Sequence, residues 1–93
     1  MAQESRFSGG VDSRFGSVIR HLRRKRGWSQ ERLAELADLN RSYLGEVERG
    51  DAKPSIGTAE KLADAFGIRL SSLVGLCEQE GVPVRRALAA IAG

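Results

Sequence analysis

The stretch Ser29-Gln30-Glu31-Arg32-Leu33-Ala34-Glu35-Leu36-Ala37-Asp38-Leu39-Asn40-Arg41-Ser42-Tyr43-Leu44-Gly45-Glu46-Val47-Glu48-Arg49-Gly50 decides how the rest of the chain is read. Ser29 stands where a hydroxyl can accept from a free amide of a helix over residues 30–37, although Ser-x-x-Arg lacks the reciprocal acid of a full capping box. Asp38 tolerates left-handed backbone better than most residues and can close that helix. A turn over residues 38–40 comes next. Asn40 is a good cap for a second helix over residues 41–49, which Gly50 ends. Leu44 and Val47 supply its inward face, so Arg41, Ser42, Glu46 and Arg49 need not be buried.

Outward from this pair, the pattern remains that of short helices. Phe15, Val18, Ile19 and Leu22 fall at i, i+3, i+4 and i+7, with Ser13 as the expected cap, Gly27 as the stop and the arginines turned to water. Lys53-Pro54-Ser55 breaks the chain and offers Ser55 as the next cap. Ala59, Leu62, Ala63 and Phe66 stripe a helix over residues 56–66, stopped by Gly67. A fifth, over residues 70–76, is expected to bury Leu70, Leu73 and Val74, with Gly75 or Gly81 marking its end. Pro83 suits a first helical turn, and Val84, Leu88 and Ile91 repeat at i, i+4 and i+7, which predicts a short sixth helix. No alternating strand pattern competes. The expected fold is all-α, with a flexible segment 1–12, a helical domain 13–76 and a C-terminal extension 77–93.

Composition narrows the function classes. Leu, Ile, Val and Phe make up 23 of 93 residues, above the range of disordered chains. Lone Cys77 has no partner for an internal disulfide, the amino terminus lacks the apolar core of a signal peptide, and no stretch is apolar enough to span a membrane. A reducing cytoplasm is therefore expected. His21 has no second ligand at metal spacing, and no nucleophile or phosphate-loop motif appears, so neither an enzyme nor a cofactor or metal is expected. Net charge is only +3, but residues 14–53 carry ten cations against six anions while residues 54–93 are neutral. Within that half, Arg20-His21-Leu22-Arg23-Arg24-Lys25-Arg26 is either a field aimed at a polyanion or a solvated helix face.

Two short helices joined by a three- or four-residue turn match the helix-turn-helix plan, whose second helix enters the DNA major groove. Leu22-Arg23, Gly27-Trp28-Ser29-Gln30-x-x-Leu33-Ala34, Tyr43-Leu44-Gly45-x-Val47-Glu48-Arg49-Gly50, and Pro54-Ser55 with Leu62-Ala63-x-Ala65-Phe66-Gly67-Ile68 together resemble the lambda-repressor-like helix-turn-helix family of the xenobiotic-response-element (XRE) type. The likeness covers about residues 14–76. It implies a five-helix DNA-binding domain acting as a sequence-specific transcriptional regulator on double-stranded DNA. The same fold also serves as a protein-interaction module, an antitoxin or a coactivator-like bridge.

The resemblance also implies roles. Gln30 would contact a phosphate and brace the start of the recognition helix. Arg41 and Ser42 would read bases, a guanidinium reaching G O6/N7 bidentately; Glu46 would either accept from cytosine N4 or orient Arg41 or Arg49. Tyr43 either packs under the turn or donates to a phosphate. Arg49 and Lys53 would hold phosphates, unless Arg49 merely offsets the helix dipole. Arg23 and Glu48 would form an internal ion pair. Trp28 reads as a lid on the core. Glu31 and Glu35 are either an RNA polymerase contact or solvent-facing acids. A recognition helix reads few base pairs, so a homodimer is expected, with Val84, Leu88 and Ile91 as its contact. Arg69 replaces the usual cap of the fifth helix, which is thus expected to start near Ser71.

Overall fold

A computed structural model describes residues 11–78, and in it five helices succeed one another: α1 (Val11–Lys25), α2 (Gln30–Ala37), α3 (Arg41–Arg49), α4 (Ile56–Phe66) and α5 (Leu70–Cys77). There is no strand among the described residues. None of their helices is long and apolar enough to cross a membrane. The expected sixth helix, its contact residues Val84, Leu88 and Ile91, and the amino-terminal segment up to residue 10 lie outside the described residues.

The boundaries are set by local hydrogen bonding. Ser29 Oγ accepts from Arg32 N at 3.0 Å, Asn40 Oδ1 from Ser42 N at 2.8 Å and Tyr43 N at 3.3 Å, and Ser55 Oγ from Thr58 N at 3.0 Å. Each such cap contributes about 1 kcal/mol. Asp38 closes α2 at φ 55°, the one non-glycine in the left-handed region among the described residues, and its carbonyl accepts from Lys61 Nζ at 3.3 Å. Gly50 closes α3 at φ 81°, a conformation that a β-carbon would strain.

Two ends differ from expectation. The helical conformation of α1 is already present at Val11, so Ser13 lies inside it and is no cap. Helix α5 begins at Leu70 although Arg69 provides no side-chain cap, and it continues through Gly75 to Cys77. Its inward face is Leu73, Leu76 and Cys77, at i, i+3 and i+4; Leu70 is half-buried and Val74 lies 43% exposed. The C-terminal turn bears on α1, where Arg14 Nε donates to the Cys77 carbonyl at 2.6 Å.

One core joins all five helices. Val18 and Ile19 from α1, Leu33 from α2, Leu44 and Val47 from α3, Leu62 from α4 and Leu73 from α5 are fully buried. Each removes enough apolar surface to contribute roughly 1.5–3 kcal/mol. Trp28 half-covers this core and stacks on Phe66, ring centroids 5.6 Å apart and planes 12° apart, as the lid reading requires. Helix α1 packs on α3 and α5, α2 on α3 and α4, and α4 on α5. The α1–α3 approach is so close that a β-carbon at Gly16 would stand 2.4 Å from the Val47 carbonyl oxygen and 2.5 Å from that of Glu48.

Burial pushes the Cys77 thiol up to about 11 from its ordinary 9.0. The unfolded chain then loses its thiol proton first, so this contribution to stability is complete below about pH 9 and is lost as pH rises toward 11. Urea midpoints measured across that range should fall more for the parent than for Cys77→Ala. Gly16→Ala should lower stability by about 1–3 kcal/mol, because the obstruction is backbone and only a helix shift relieves it; an unchanged urea midpoint would contradict the close contact.

Candidate nucleic-acid interface

Helix α3 is buried on one side through Leu44, Gly45, Val47 and Glu48, Tyr43 is half-buried, and Arg41, Ser42, Glu46 and Arg49 are exposed. Among the described residues no hydrogen bond or ion pair joins Glu46 to Arg41 or Arg49, so the bracing role weighed for it has no contact to rest on. Arg49 instead pairs with Asp51, Nε to Oδ2 at 3.0 Å, an exposed contact worth little in itself. Its guanidinium lies over Gly45, where a β-carbon would meet Nη1 at 3.3 Å. Lys53 is exposed on the segment between α3 and α4.

The buried side of α3 ends in a charged hub. The Glu48 side chain has no exposed surface, and its carboxylate accepts from Arg23 Nε at 2.7 Å, Arg23 Nη2 at 3.0 Å and Gln30 Nε2 at 3.0 Å. The third nitrogen of Arg23, Nη1, donates to the Trp28 carbonyl at 3.0 Å. Arg20 Nη2 donates to the Glu48 carbonyl at 3.3 Å, with Nε 3.8 Å from the carboxylate. No buried side-chain nitrogen or oxygen among the described residues lacks a partner. Such completeness is required, since a desolvated carboxylate costs several kcal/mol unless its lone pairs are met.

Gln30 makes a different contact from the one its motif suggested, whereas Tyr43 takes one of its two alternatives. Gln30 braces α3 at its carboxyl end, through Glu48, rather than at its start. Tyr43 is half-buried with its hydroxyl 3.3 Å from Thr58 Oγ1, the packing alternative under the first turn of α4. The basic run of α1 is tied down further than one internal arginine. Besides Arg20 and Arg23, Arg26 Nη2 donates to the Phe66 carbonyl at 2.7 Å, and its guanidinium lies 5.3 Å from the Trp28 ring centre. His21, Arg24 and Lys25 keep the exposed face. On α2, Glu31 and Glu35 are both exposed, Glu35 sharing its carboxylate with Arg32 at 3.3 Å.

A family model for helix-turn-helix domains matches residues 19–73, from the middle of α1 through the first half of α5. The chain belongs to the helix-turn-helix family, in its lambda-repressor-like, XRE-type branch. The immunity repressor protein of Bacillus phage phi105 is 45% identical to this helix-turn-helix chain over 60 residues, 64% of the chain and 42% of that repressor. Control protein C.BamHI of Bacillus amyloliquefaciens is 38% identical over 72 residues, 71% of the chain and 89% of the control protein. In the crystal structure of the restriction-modification controller protein C.AhdI from Aeromonas hydrophila, the matched part is 47% identical at a TM-score of 0.62, covering 64% of this chain and 91% of that one. The chain thus spans under half of the phage repressor's length but most of that of the two controller proteins.

The hub gives the helix-turn-helix core a test. Glu48→Gln and Arg23→Met should each leave a buried group without its partner and lower stability by roughly 3–5 kcal/mol. Chemical denaturation of both variants decides it: midpoints equal to the parent would mean that the pair is not desolvated.

Proposed function

We propose that the chain is a sequence-specific DNA-binding transcriptional regulator, a homodimer acting on an operator in the cytoplasm with α3 in the major groove. The observation that carries this reading is the division of α3. Its buried face is fastened to α1 and α2 through Glu48, which leaves Arg41, Ser42 and Glu46 on a rigidly aimed, exposed face. Membership of the helix-turn-helix family and likeness to proteins named as repressors and controllers support it.

In this reading Arg41 donates two hydrogen bonds to guanine O6 and N7, Ser42 accepts or donates as the base requires, and Glu46 accepts from cytosine N4. Arg49, Lys53, the first turn of α2 at Gln30 and the second hydrogen-bonding function of the Tyr43 hydroxyl hold phosphates, which fixes register. Two copies on half-sites one helical turn apart multiply a modest single-site affinity into an operator-grade one. Glu31 and Glu35 on the exposed side of α2 are the surface assigned to RNA polymerase in an activating arrangement.

Mobility shifts with DNA from upstream of the protein's own gene, compared with scrambled DNA, test the proposal. Affinity should fall steeply with salt as counterions are released, and Arg41→Ala should cost about 1–3 kcal/mol and relax one base position in each half-site. Equal binding to both DNAs, indifferent to Arg41→Ala, would instead favour a protein-interaction module.

A further inference from the structure

The Arg49 side chain does not extend away from α3. It runs back toward the start of the helix, as helical side chains do, and lies over Gly45, where Nη1 stands 3.3 Å and the Gln30 amide oxygen 3.9 Å from the place of a β-carbon. Arg41, Gly45 and Arg49 follow at i, i+4 and i+8, so the guanidinium is drawn along the exposed face in the direction of Arg41. Asp51 holds it there, Oδ2 accepting from Nε at 3.0 Å. The backbone in turn places Asp51, whose N–H donates to the Glu46 carbonyl at 2.8 Å just beyond the left-handed turn at Gly50. Among the described residues Nη1 and Nη2 have no acceptor, so the fork is left for an anion from outside the chain.

We propose that Asp51 is a positioning residue for DNA binding, which by holding Nε fixes the Arg49 fork over Gly45 and aims it at one phosphate of the duplex. The proposal rests on the reading of α3 as the helix that faces DNA. A free arginine side chain surrenders its rotamer freedom when it meets a phosphate, and fixing it beforehand removes that cost. Two parallel N–H groups match two phosphate oxygens, and a guanidinium bonded through Nε keeps both Nη groups for them. Bare Gly45 provides the seat, since a side chain at that position would compete with the guanidinium for the same space. The pair is exposed on both sides, so it contributes little to stability and its effect is directional. Charge alone argues the opposite: a carboxylate that acted only by its field would repel the phosphates, and its removal would tighten binding. The two roles of Asp51 therefore differ in sign.

A double-mutant cycle on the full chain tests this, with Asp51→Ala made in the parent and in Arg49→Ala, and affinity measured on duplex DNA from upstream of the protein's own gene and on scrambled duplex. In the parent, Asp51→Ala should weaken binding roughly two- to tenfold, by the same factor on both duplexes because a phosphate contact carries no sequence information. In Arg49→Ala it should tighten binding or leave it unchanged, since only the repulsion is then removed. The urea midpoint should stay at the parent's value, and the Nε–H resonance of Arg49 in the DNA-free chain should move to that of solvated arginines. Tighter binding of Asp51→Ala in the parent, or an equal loss in both backgrounds, would overturn the proposal. Failure of the parent to prefer its upstream DNA, with the sign reversal intact, would sink the operator reading and uphold the role of Asp51; a parent that binds neither duplex would overturn both.

Discussion

The carboxylate of Glu48 is the constraint on which the rest of the domain depends. It is a fully desolvated anion on the helix that carries the exposed Arg41, Ser42 and Glu46, and its lone pairs are met by side chains from α1 and α2. Replacing such a pair by apolar groups often leaves stability intact, so its contribution here is better described as orientation. Rotating α3 by one residue turns its side chains through about 100°. That rotation would carry Glu48 away from Arg23 and Gln30 and leave a charge unpaired. The aim of the exposed face is therefore set from behind, by a buried charge that tolerates only one rotation of the helix.

The same constraint explains the outward form of α1. Gly16, Arg20 and Arg23 stand at i, i+4 and i+7 and so share one side of that helix. Gly16 admits the carbonyls of Val47 and Glu48, Arg20 donates to one of those carbonyls, and Arg23 reaches the carboxylate. A glycine inside a helix costs about 1 kcal/mol in propensity. Here it allows the approach that brings both arginines within hydrogen-bonding distance of the end of α3, so the local cost is offset by tertiary contacts.

What was legible in the sequence had local causes. The caps Ser29, Asn40 and Ser55 act within three residues, and the stripes of α1, α3 and α4 obey the helical period, so both could be read without the fold. The Arg23–Glu48 pair was legible through its motif. Arg20, Arg26 and Arg14 were not, because their acceptors are backbone carbonyls 28, 40 and 63 residues away, and a carbonyl has no signature of its own. Gln30 was legible as a brace of α3 but not in its direction, since the amide answers to Glu48 at the far end of α3. Val74 was misplaced for a related reason. Its spacing from Leu70 suits an inward stripe, but packing against α1 and α4 selects the neighbouring face of Leu73, Leu76 and Cys77.

Charge accounting then changes what the basic half of the chain means. Helix α3 is itself neutral, Arg41 and Arg49 against Glu46 and Glu48, and its carboxyl end adds the negative pole of the helix dipole. A neutral helix with an exposed Glu46 and a nearby Asp51 would gain no electrostatic attraction from a phosphate-lined groove. The positive field comes from α1. Arg23 is neutralised by Glu48, but Arg20 donates to a carbonyl and keeps its full charge beside the end of α3, so the hub as a whole is cationic. Because Arg20 is already held by that bond, its charge stands at a fixed place before any polyanion arrives, and less side-chain freedom remains to be lost on binding. The few cations placed around α3, rather than the modest net charge of the chain, thus set its attraction for a polyanion.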